Sequence, residues 1–433
     1  SIPVHAVVIV LAAALSLAWA AVRCIHALHM LQLDSYANDR LWAWLTAHPA
    51  RRLFDLPSAV LPIAIMAALL GPLPEQHAAT LLLGAWCIAG AALLFYRHAP
   101  SRQAKKPLVY TARAIRILAV SLLLSLILII AGIWVGLSSF PGSVSVPLKV
   151  AAGWTLLGAS FVGIQLAPLT VMLANLLLAP VQSAINRTFL RRAQQRLSTV
   201  RPRVIGVTGS YGKTSTKYLL ERLLADHYKV LKTPLSYNTL MGVCRVVNEA
   251  LEADHQLFVV EMGAYRRGDI RELCEFVHPS LGILTAIGPQ HLERFKTIEN
   301  VQSAKYELIE ALPASGIAIV NNDDPRCRAL ADRTTHVKVL RYGLDRVGQS
   351  LDVWAENVAM GPGGLSFMMH ARGAAPVEVQ TVLLGRHNAL NILGASCAAM
   401  ALGVGLPDLA KAIRELPPVP HRLQLIRGEG GVT

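Results

Sequence analysis

Charged residues are scarce in this chain, and acidic residues are nearly missing from its first half. Only 16% of the 433 residues are charged, against about 25% in an average soluble protein. Residues 1–200 contain fifteen Lys/Arg and four Asp/Glu, whereas residues 201–433 contain 26 and 23. The net charge of +14 therefore comes from basic residues beside apolar segments. It does not indicate a nucleic-acid-binding surface, so nucleic acid is not an expected partner.

Paired cysteines are also missing. No two of the six cysteines form a C-x-x-C pair, which argues against a zinc ribbon or a disulfide framework. They lie far apart along the chain, at Cys24, Cys87, Cys244, Cys274, Cys327 and Cys397.

Five stretches lack Asp, Glu, Lys and Arg altogether, and a transmembrane helix needs about 20 apolar residues. They are Val4–Val22, Pro57–Leu73, Ala78–Tyr96, Ile117–Leu137 and residues 150–181. We therefore expect residues 1–181 to form an α-helical transmembrane bundle of about five helices, with the lipid bilayer as a partner. Residues 182–202 are then a basic juxtamembrane linker.

Loop charges predict the orientation, because Lys and Arg stay on the cytoplasmic side. The loops 23–56 and 97–116 are basic, whereas 71–77 and 138–148 contain neither Lys nor Arg. This alternation places the N-terminus outside and residues 182–433 in the cytoplasm. Within the first basic loop, residues 31–56 fit either an interfacial amphipathic helix or a helix packed on the bundle.

From Arg203 onward, apolar runs alternate with helical patterns, which predicts an α/β domain with a mostly parallel sheet over residues 203–424. The predicted strands are Val204–Val207, Leu257–Glu261, Leu281–Ala286, Ile317–Asn321 and Lys338–Tyr342. The predicted helices are Lys213–His227, Thr297–Leu312 and Leu390–Leu402. Ligands of such sheets gather at the carboxyl ends of the strands.

A phosphate-binding loop follows the first of these strands. Its residues are Thr208, Gly209, Ser210, Tyr211, Gly212, Lys213, Thr214 and Ser215. Glycines let backbone N–H groups approach phosphate oxygens, the lysine reaches the β/γ-phosphates and the threonine hydroxyl can ligate Mg²⁺. Position 207 is valine where the strict P-loop pattern has glycine. The run still predicts nucleotide binding.

Further candidates follow other strands or open helices, and each has a plain structural alternative. Glu261 at a strand end is either a Mg²⁺ ligand or a cap of the next turn. His291 is either catalytic or structural, and Lys305 either functional or on a solvated helix face. His387, Asn388 and Asn391 either cap a helix or face a purine.

These residues lie in runs that together resemble the Mur ligase family, the ATP-dependent amide-bond ligases of peptidoglycan precursor synthesis. The likeness covers residues 203–433 and is greatest to the D-alanyl-D-alanine-adding branch. The runs are TGSYGKTST (208–216), SYNT (236–239), VVEMGA (259–264), GPQHLERF (288–295), AKYELI (304–309), NNDD (321–324), GRHNALNILGA (385–395) and PHRLQ (420–424).

The resemblance implies a role for each candidate. Lys213 and the loop hold the ATP phosphates, with Asn238 beside the γ-phosphate and Arg422 approaching from the domain junction. His387, Asn388 and Asn391 flank the adenine. Two Mg²⁺ ions are implied, with ligands drawn from Thr214, Glu261, His291 and Lys305, the lysine as a carbamate.

The chemistry implied is transfer of a phosphoryl group to a carboxylate acceptor, followed by attack of an amine on the acyl phosphate. The acceptor is a UDP-sugar peptide or a lipid-linked precursor, and the amine an amino acid or a dipeptide. Two alternatives stay open: an ATP-binding membrane scaffold or regulator without ligation, and a membrane poly-amino-acid synthase. A transporter is disfavoured because the chain lacks a Walker B aspartate and a signature loop.

Two departures from the family qualify this interpretation. Apolar segments replace the family's UDP-binding N-terminal domain, which predicts a multi-pass protein of the bacterial inner membrane. Residues 425–433 resemble the start of a C-terminal domain needed for activity, so we expect that domain to be truncated here.

Overall fold

The computed structural model describes residues 4–52, 107–138, 148–344, 350–361 and 363–417. The chain divides into two compact units, Ser1–Ile185 and Asn186–Thr433. The predicted spans Pro57–Leu73 and Ala78–Tyr96 lie outside the described residues. So do Arg422 and the segment 425–433.

The N-terminal unit is helical. Its described elements are α1 (Val4–Leu33), α2 (Asn38–Ala47), α3 (Pro49–Arg52), α4 (Ala112–Ser138) and α5 (Leu148–Leu177). A sixth helix, α6 (Ala179–Val200), begins in this unit and ends in the next. The apolar core joins α1, α2, α4 and α5. Leu41 and Leu45 of α2 are fully buried in it, as expected of a helix packed on the others.

The orientation argument fails at Arg23, which was assigned to a cytoplasmic loop. Helix α1 continues past it to Leu33, and Arg23 is only 6% exposed. Its guanidinium donates to the carbonyl oxygen of Ile164 (2.9 Å) and to Oε1 of Gln165 (3.0 Å). A buried arginine inside a helix carries no information about membrane sidedness.

The prediction of a multi-pass protein of the bacterial inner membrane is wrong. Within the described ranges one stretch, Ala112–Gly132, is long and apolar enough to span a membrane. A second is counted only if the bent pair Val162–Leu177 and Ala179–Val200 is one span. Core helices pass the same test, so the five-span bundle is not supported.

Contacts between α4 and α5 account for part of the apolar residues in these two helices. Helices α4 and α5 approach closely at small residues: a Cβ on Gly132 would lie 2.8 Å from Cβ of Ala159. A Cβ on Gly163 would lie 2.6 Å from Ile129. Such contacts need an apolar stripe on each helix, and in a short stretch composition alone does not separate such a stripe from a surface that faces lipid.

The C-terminal unit is α/β. Its strands are β1 (Arg203–Thr208), β2 (Val230–Lys232), β3 (Leu257–Glu261), β4 (Leu281–Leu284), β5 (Ile317–Asn321), β6 (Lys338–Gly343), β7 (Val353–Gly361), β8 (Gly364–Ala371) and β9 (Val377–Thr381). Its helices after α6 are α7 (Lys213–Leu224), α8 (Leu240–Ala250), α9 (Asp269–Val277), α10 (Leu292–Phe295), α11 (Ile298–Glu310), α12 (Pro325–Arg333), α13 (Arg386–Ala401) and α14 (Leu406–Arg414).

The nine strands form one sheet in the order β2-β3-β1-β4-β5-β6-β7-β8-β9. Pairings from β2 to β7 are parallel, and those of β7 with β8 and β8 with β9 are antiparallel. The predicted α/β domain with a mostly parallel sheet is confirmed. The sequence analysis missed β2 and the antiparallel strands β7, β8 and β9.

Strand β1 lies inside the sheet, between β3 and β4. Two apolar clusters cover the two faces: Val204 belongs to one, and Ile205 and Val207 belong to the other. After β1 the chain forms β2 and β3 on one side and then crosses to β4 on the other, so the strand order reverses at β1. Such a reversal opens a crevice at the carboxyl ends of the strands, where the glycine loop lies.

Candidate active site

Two glycines give the loop after β1 its shape. Gly209 has φ +144° and Gly212 has φ +83°, values that L-residues with a Cβ rarely adopt. Space is lacking as well, because a Cβ on Gly209 would lie 2.1 Å from Oγ1 of Thr285. On Gly212 it would lie 2.5 Å from Oδ1 of Asn391. Gly212 directly precedes α7, whose N-terminus is oriented for an anion.

Hydrogen bonds to the chain after β4 hold this loop in place. Thr285 Oγ1 is 3.0 Å from the carbonyl oxygen of Thr208 and 2.5 Å from that of Tyr211. The Ser210 backbone N–H donates to Ala286 O at 2.7 Å, and the Gly288 N–H lies 3.0 Å from Ser210 Oγ. The loop is therefore preformed, and little ordering is needed when an anion binds.

A cavity of about 340 Å³ opens beside this loop. It brings together eleven of the predicted site residues: Ser210, Gly212, Lys213, Thr214, Ser215, Asn238, Glu261, His291, Lys305, His387 and Asn391. Thr208, Gly209 and Asn388 do not line it, and Arg422 is outside the described residues. Tyr211, Tyr265 and Gln290 also line it; the sequence analysis gave these three no role.

Lys213 is the first residue of α7 and folds back over the loop. Its Nζ donates to the carbonyl oxygens of Gly209 (2.6 Å) and Ser210 (3.1 Å). The ammonium is thus held next to the loop carbonyls and within the cavity wall, where it can meet a phosphate oxygen.

Glu261 ends β3 and is 1% exposed. Both of its carboxylate oxygens accept hydrogen bonds, one from Nδ2 of Asn238 (3.1 Å) and the other from Nζ of Lys217 (2.9 Å). Its backbone N–H donates to Oγ1 of Thr233 (3.1 Å). The sequence analysis missed Lys217, although it lies one turn after Lys213 on a helix that faces the sheet.

Lys305 lies on α11 and is 2% exposed, so the solvated-face interpretation is wrong. Burial, together with the nearby charge of Lys213, lowers the pKa of Lys305 to about 7. On the same helix, Glu307 accepts backbone N–H bonds from Gly268 (2.6 Å) and Arg271 (3.0 Å). It therefore fixes the first turn of α9 rather than pairing with the lysine.

His291 sits in the left-handed region, with φ +56°, just before α10. Its ring packs against Tyr265 with centroids 5.0 Å apart, and Arg294 lies over the same tyrosine at 4.6 Å. Desolvation lowers the pKa of His291, and the nearby Lys305 lowers it further. The imidazole is therefore neutral at pH 7, the form that can ligate a metal.

The residues that open α13 do not cap it. Gly385 is the N-cap, and no side chain accepts from the first turn. Asn388 Nδ2 donates to Leu384 O (2.8 Å), and Asn391 Nδ2 donates to Asn388 Oδ1 (3.1 Å). Oδ1 of Asn391 accepts from Oγ1 of Thr216 on α7 at 3.4 Å, so it joins this helix to the helix that follows the phosphate loop.

The cavity's donor set fits Mg²⁺, which takes carboxylate and hydroxyl oxygens and keeps several waters. Thr214, Glu261, His291 and Lys305 all face the same space, and Lys305 would supply oxygens only as a carbamate. Outside the cavity, a group of three described residues brings possible metal-ligand atoms together: Glu252, Asp254 and His255. There the two carboxylates already pair with Lys229, at 2.7 and 2.6 Å.

Comparison with known proteins agrees with this arrangement. Residues 207–399 match the family model of the Mur ligase middle domain. The UDP-N-acetylmuramoyl-tripeptide–D-alanyl-D-alanine ligase of Mycobacterium tuberculosis H37Rv is 36% identical over 232 residues, which are 53% of this chain and 44% of that protein. The enzyme of the same name from Bacillus subtilis 168 is 30% identical over 241 residues, or 56% and 50% of the two chains.

Among solved structures, MurF from Acinetobacter baumannii superposes with a TM-score of 0.53 at 27% identity, over 57% of this chain and 53% of the other. The chain spans about half the length of the curated relatives it matches. The glycine loop, the strand-end glutamate and the buried lysine all fall inside the matched range. Residues 207–399 are therefore similar to the middle domain of the Mur ligases.

Proposed function

We propose that this chain carries the part of an amide-bond ligase of peptidoglycan precursor synthesis that binds ATP and uses it to activate a carboxylate. The observation that carries the proposal is the convergence of Lys213, Glu261, His291 and Lys305 on one cavity beside a preformed glycine loop. A nucleotide-binding scaffold needs the loop and Lys213 but has no use for a buried lysine of lowered pKa next to a histidine.

In this proposal, the loop N–H groups and Lys213 bind the β- and γ-phosphates of ATP, and Asn391 and His387 lie toward the base. Bound Mg²⁺ would neutralise phosphate charge, with Thr214, Glu261, His291 and Lys305 as its ligands. The γ-phosphoryl group passes to an acceptor carboxylate with release of ADP. An amine then attacks the acyl carbon and expels phosphate.

We propose that Lys305 acts as a carbamate. Only the neutral amine reacts with CO₂, and a pKa of about 7 leaves roughly half of the lysine neutral at pH 7, whereas an ordinary lysine is almost wholly protonated. The adduct would turn a buried cation into an anionic oxygen donor.

The relatives are named for a UDP-N-acetylmuramoyl-tripeptide and D-alanyl-D-alanine, and we propose the same two substrates for this chain. The test is ADP release by the full-length protein with ATP, UDP-N-acetylmuramoyl-tripeptide and D-alanyl-D-alanine, with each substrate omitted in turn. We expect release to require the tripeptide acceptor and to be lost in Lys213→Ala. ATP binding without acceptor-dependent release would refute the ligase assignment and favour a scaffold.

A further inference from the structure

Lys217 is a buried cation that the proposed reaction does not use. It is 0% exposed and lies on α7, one turn beyond Lys213. Its Nζ donates to the carbonyl oxygen of Leu235 at 2.6 Å and to Oε2 of Glu261 at 2.9 Å. A buried ammonium is stable only when it is paired and hydrogen-bonded, so this contact is a lasting part of the fold.

The pairing also holds Glu261 in a fixed position. Asn238 contacts the other carboxylate oxygen at 3.1 Å, and its own carbonyl accepts from Gly263 N at 2.8 Å. A Cβ on Gly263 would lie 2.7 Å from the Asn238 side chain, so the amide has little room to turn. The carboxylate keeps one orientation at the cavity wall.

The charges around the cavity do not favour a bare divalent cation. Glu261 is the one carboxylate among its described lining residues, and the ammonium of Lys213 lines it as well. The amine of Lys305 adds a partial positive charge, and two carboxylates outside the lining, Glu307 and Asp269, offset it from nearby. Glu307 accepts from two backbone N–H groups, and Asp269 pairs with Arg266 at 2.9 Å.

We infer that Lys217 cancels the charge of Glu261, so that the cavity, as long as Lys305 is an unmodified amine, takes a divalent cation only together with nucleotide phosphates. With the glutamate neutralised, the cavity attracts anions and repels a bare cation. Bound phosphates add the negative charge that a cation needs. The inference rests on the proposed function, because it assumes that phosphates occupy the cavity.

The experiment measures Mn²⁺ binding by the loss of its free electron paramagnetic resonance signal, with and without ADP, in buffers free of CO₂ that keep Lys305 as an amine. The variants are Lys217→Met, which keeps the length of the side chain, and Arg222→Met, a control on an exposed position of the same helix. Without ADP, we expect wild type and Arg222→Met to bind Mn²⁺ only weakly. Lys217→Met should bind it at least about tenfold more tightly, because a unit charge near the ion is removed.

Lys217→Met leaves a buried carboxylate without its cation and can fail to fold, so a second variant is needed. Lys217→Met/Glu261→Gln removes both charges at nearly constant shape and keeps the net charge of the cavity. We expect it to bind metal-free ADP within about threefold of wild type, since an unchanged net charge leaves the attraction for phosphate unchanged. It should bind no Mn²⁺ without ADP.

Three outcomes would overturn the inference. Wild type could bind Mn²⁺ without ADP as tightly as Lys217→Met does, or a folded Lys217→Met could gain no affinity for Mn²⁺. The double variant could also lose metal-free ADP binding, which would make Lys217 a support of the loop rather than a counter-charge. Failure of wild type to bind ADP would instead refute the proposed function, and the ADP-free measurements would still decide the role of Lys217.

Discussion

Replacing Lys305 by methionine removes a buried amine while keeping the length of the side chain. Lys305 is 2% exposed, and burial lowers its pKa from 10.5 to about 7. The unfolded chain therefore binds more protons than the folded one between these two values. By linkage, the stability of the wild type rises as the pH increases across this window.

The size of the effect follows from the pKa difference. One pKa unit corresponds to about 1.4 kcal/mol, so the protonated amine costs the folded protein roughly 5 kcal/mol below pH 7. Methionine avoids this cost. We expect Lys305→Met to be more stable than wild type at pH 6, and the gain to shrink by about 1 kcal/mol at pH 8 as the wild-type amine loses its proton.

Hydrogen exchange of peptides from β1 and β3 measures this difference, because comparison at equal pH cancels the intrinsic exchange rates. Buffers free of CO₂ keep the amine unmodified. Lys411→Met, at an exposed position of α14, is the control and should show no gain that depends on pH. A gain equal at pH 6 and pH 8, or no gain at pH 6, would refute the assignment of a lowered pKa to Lys305.

Three further substitutions test the loop and its supports. Gly212→Ala places a Cβ against Asn391 at a φ of +83° and should weaken ADP binding, measured by calorimetry, at least about tenfold. The control is Gly373→Ala, where φ is +78° and the added Cβ meets open space. It should cost only about 1 kcal/mol of stability and leave ADP affinity unchanged. Thr285→Val removes the hydroxyl that contacts two loop carbonyls. It should lower the free energy of unfolding by about 1–3 kcal/mol and weaken ADP binding. Unchanged ADP affinity would show that the loop holds its shape without this hydroxyl. Asp324→Ala removes the N-cap of α12 and also the acceptor of the Ile287 N–H (2.9 Å), in the segment that holds the loop. It should cost about 1–3 kcal/mol in hydrogen exchange of α12 and weaken ADP binding; normal ADP binding would show that the segment after β4 keeps its place without this contact.

The parallel part of the sheet was predictable because its strands are short apolar runs with clear ends. Leu257–Glu261 and Ile317–Asn321 were predicted with the bounds that the structure has. Strand β7 was missed because a register shift between Glu356 and Ala359 interrupts its alternation. Strand β2 has only three residues, too few for a periodic signal.

The candidate site was predictable wherever a residue ends a strand or belongs to a known run. Lys217 was not, because a lysine inside an amphipathic helix usually faces solvent, and only the fold places it beneath β3 against Glu261. The membrane prediction failed for a related reason. Sequence does not show that Arg23 is buried inside a helix or that apolar runs pack on one another.

The short strand β2 also affects how safely the sheet can fold. A parallel sheet assembles from distant segments, so its open edges are exposed to other chains while it forms. The β2 edge offers three residues of backbone, and its last residue, Lys232, pairs with Glu221 at 2.6 Å. Lys229, just before the strand, pairs with two further carboxylates. A short edge flanked by charge is a poor template for strand addition, which protects the nascent domain from aggregation on that side.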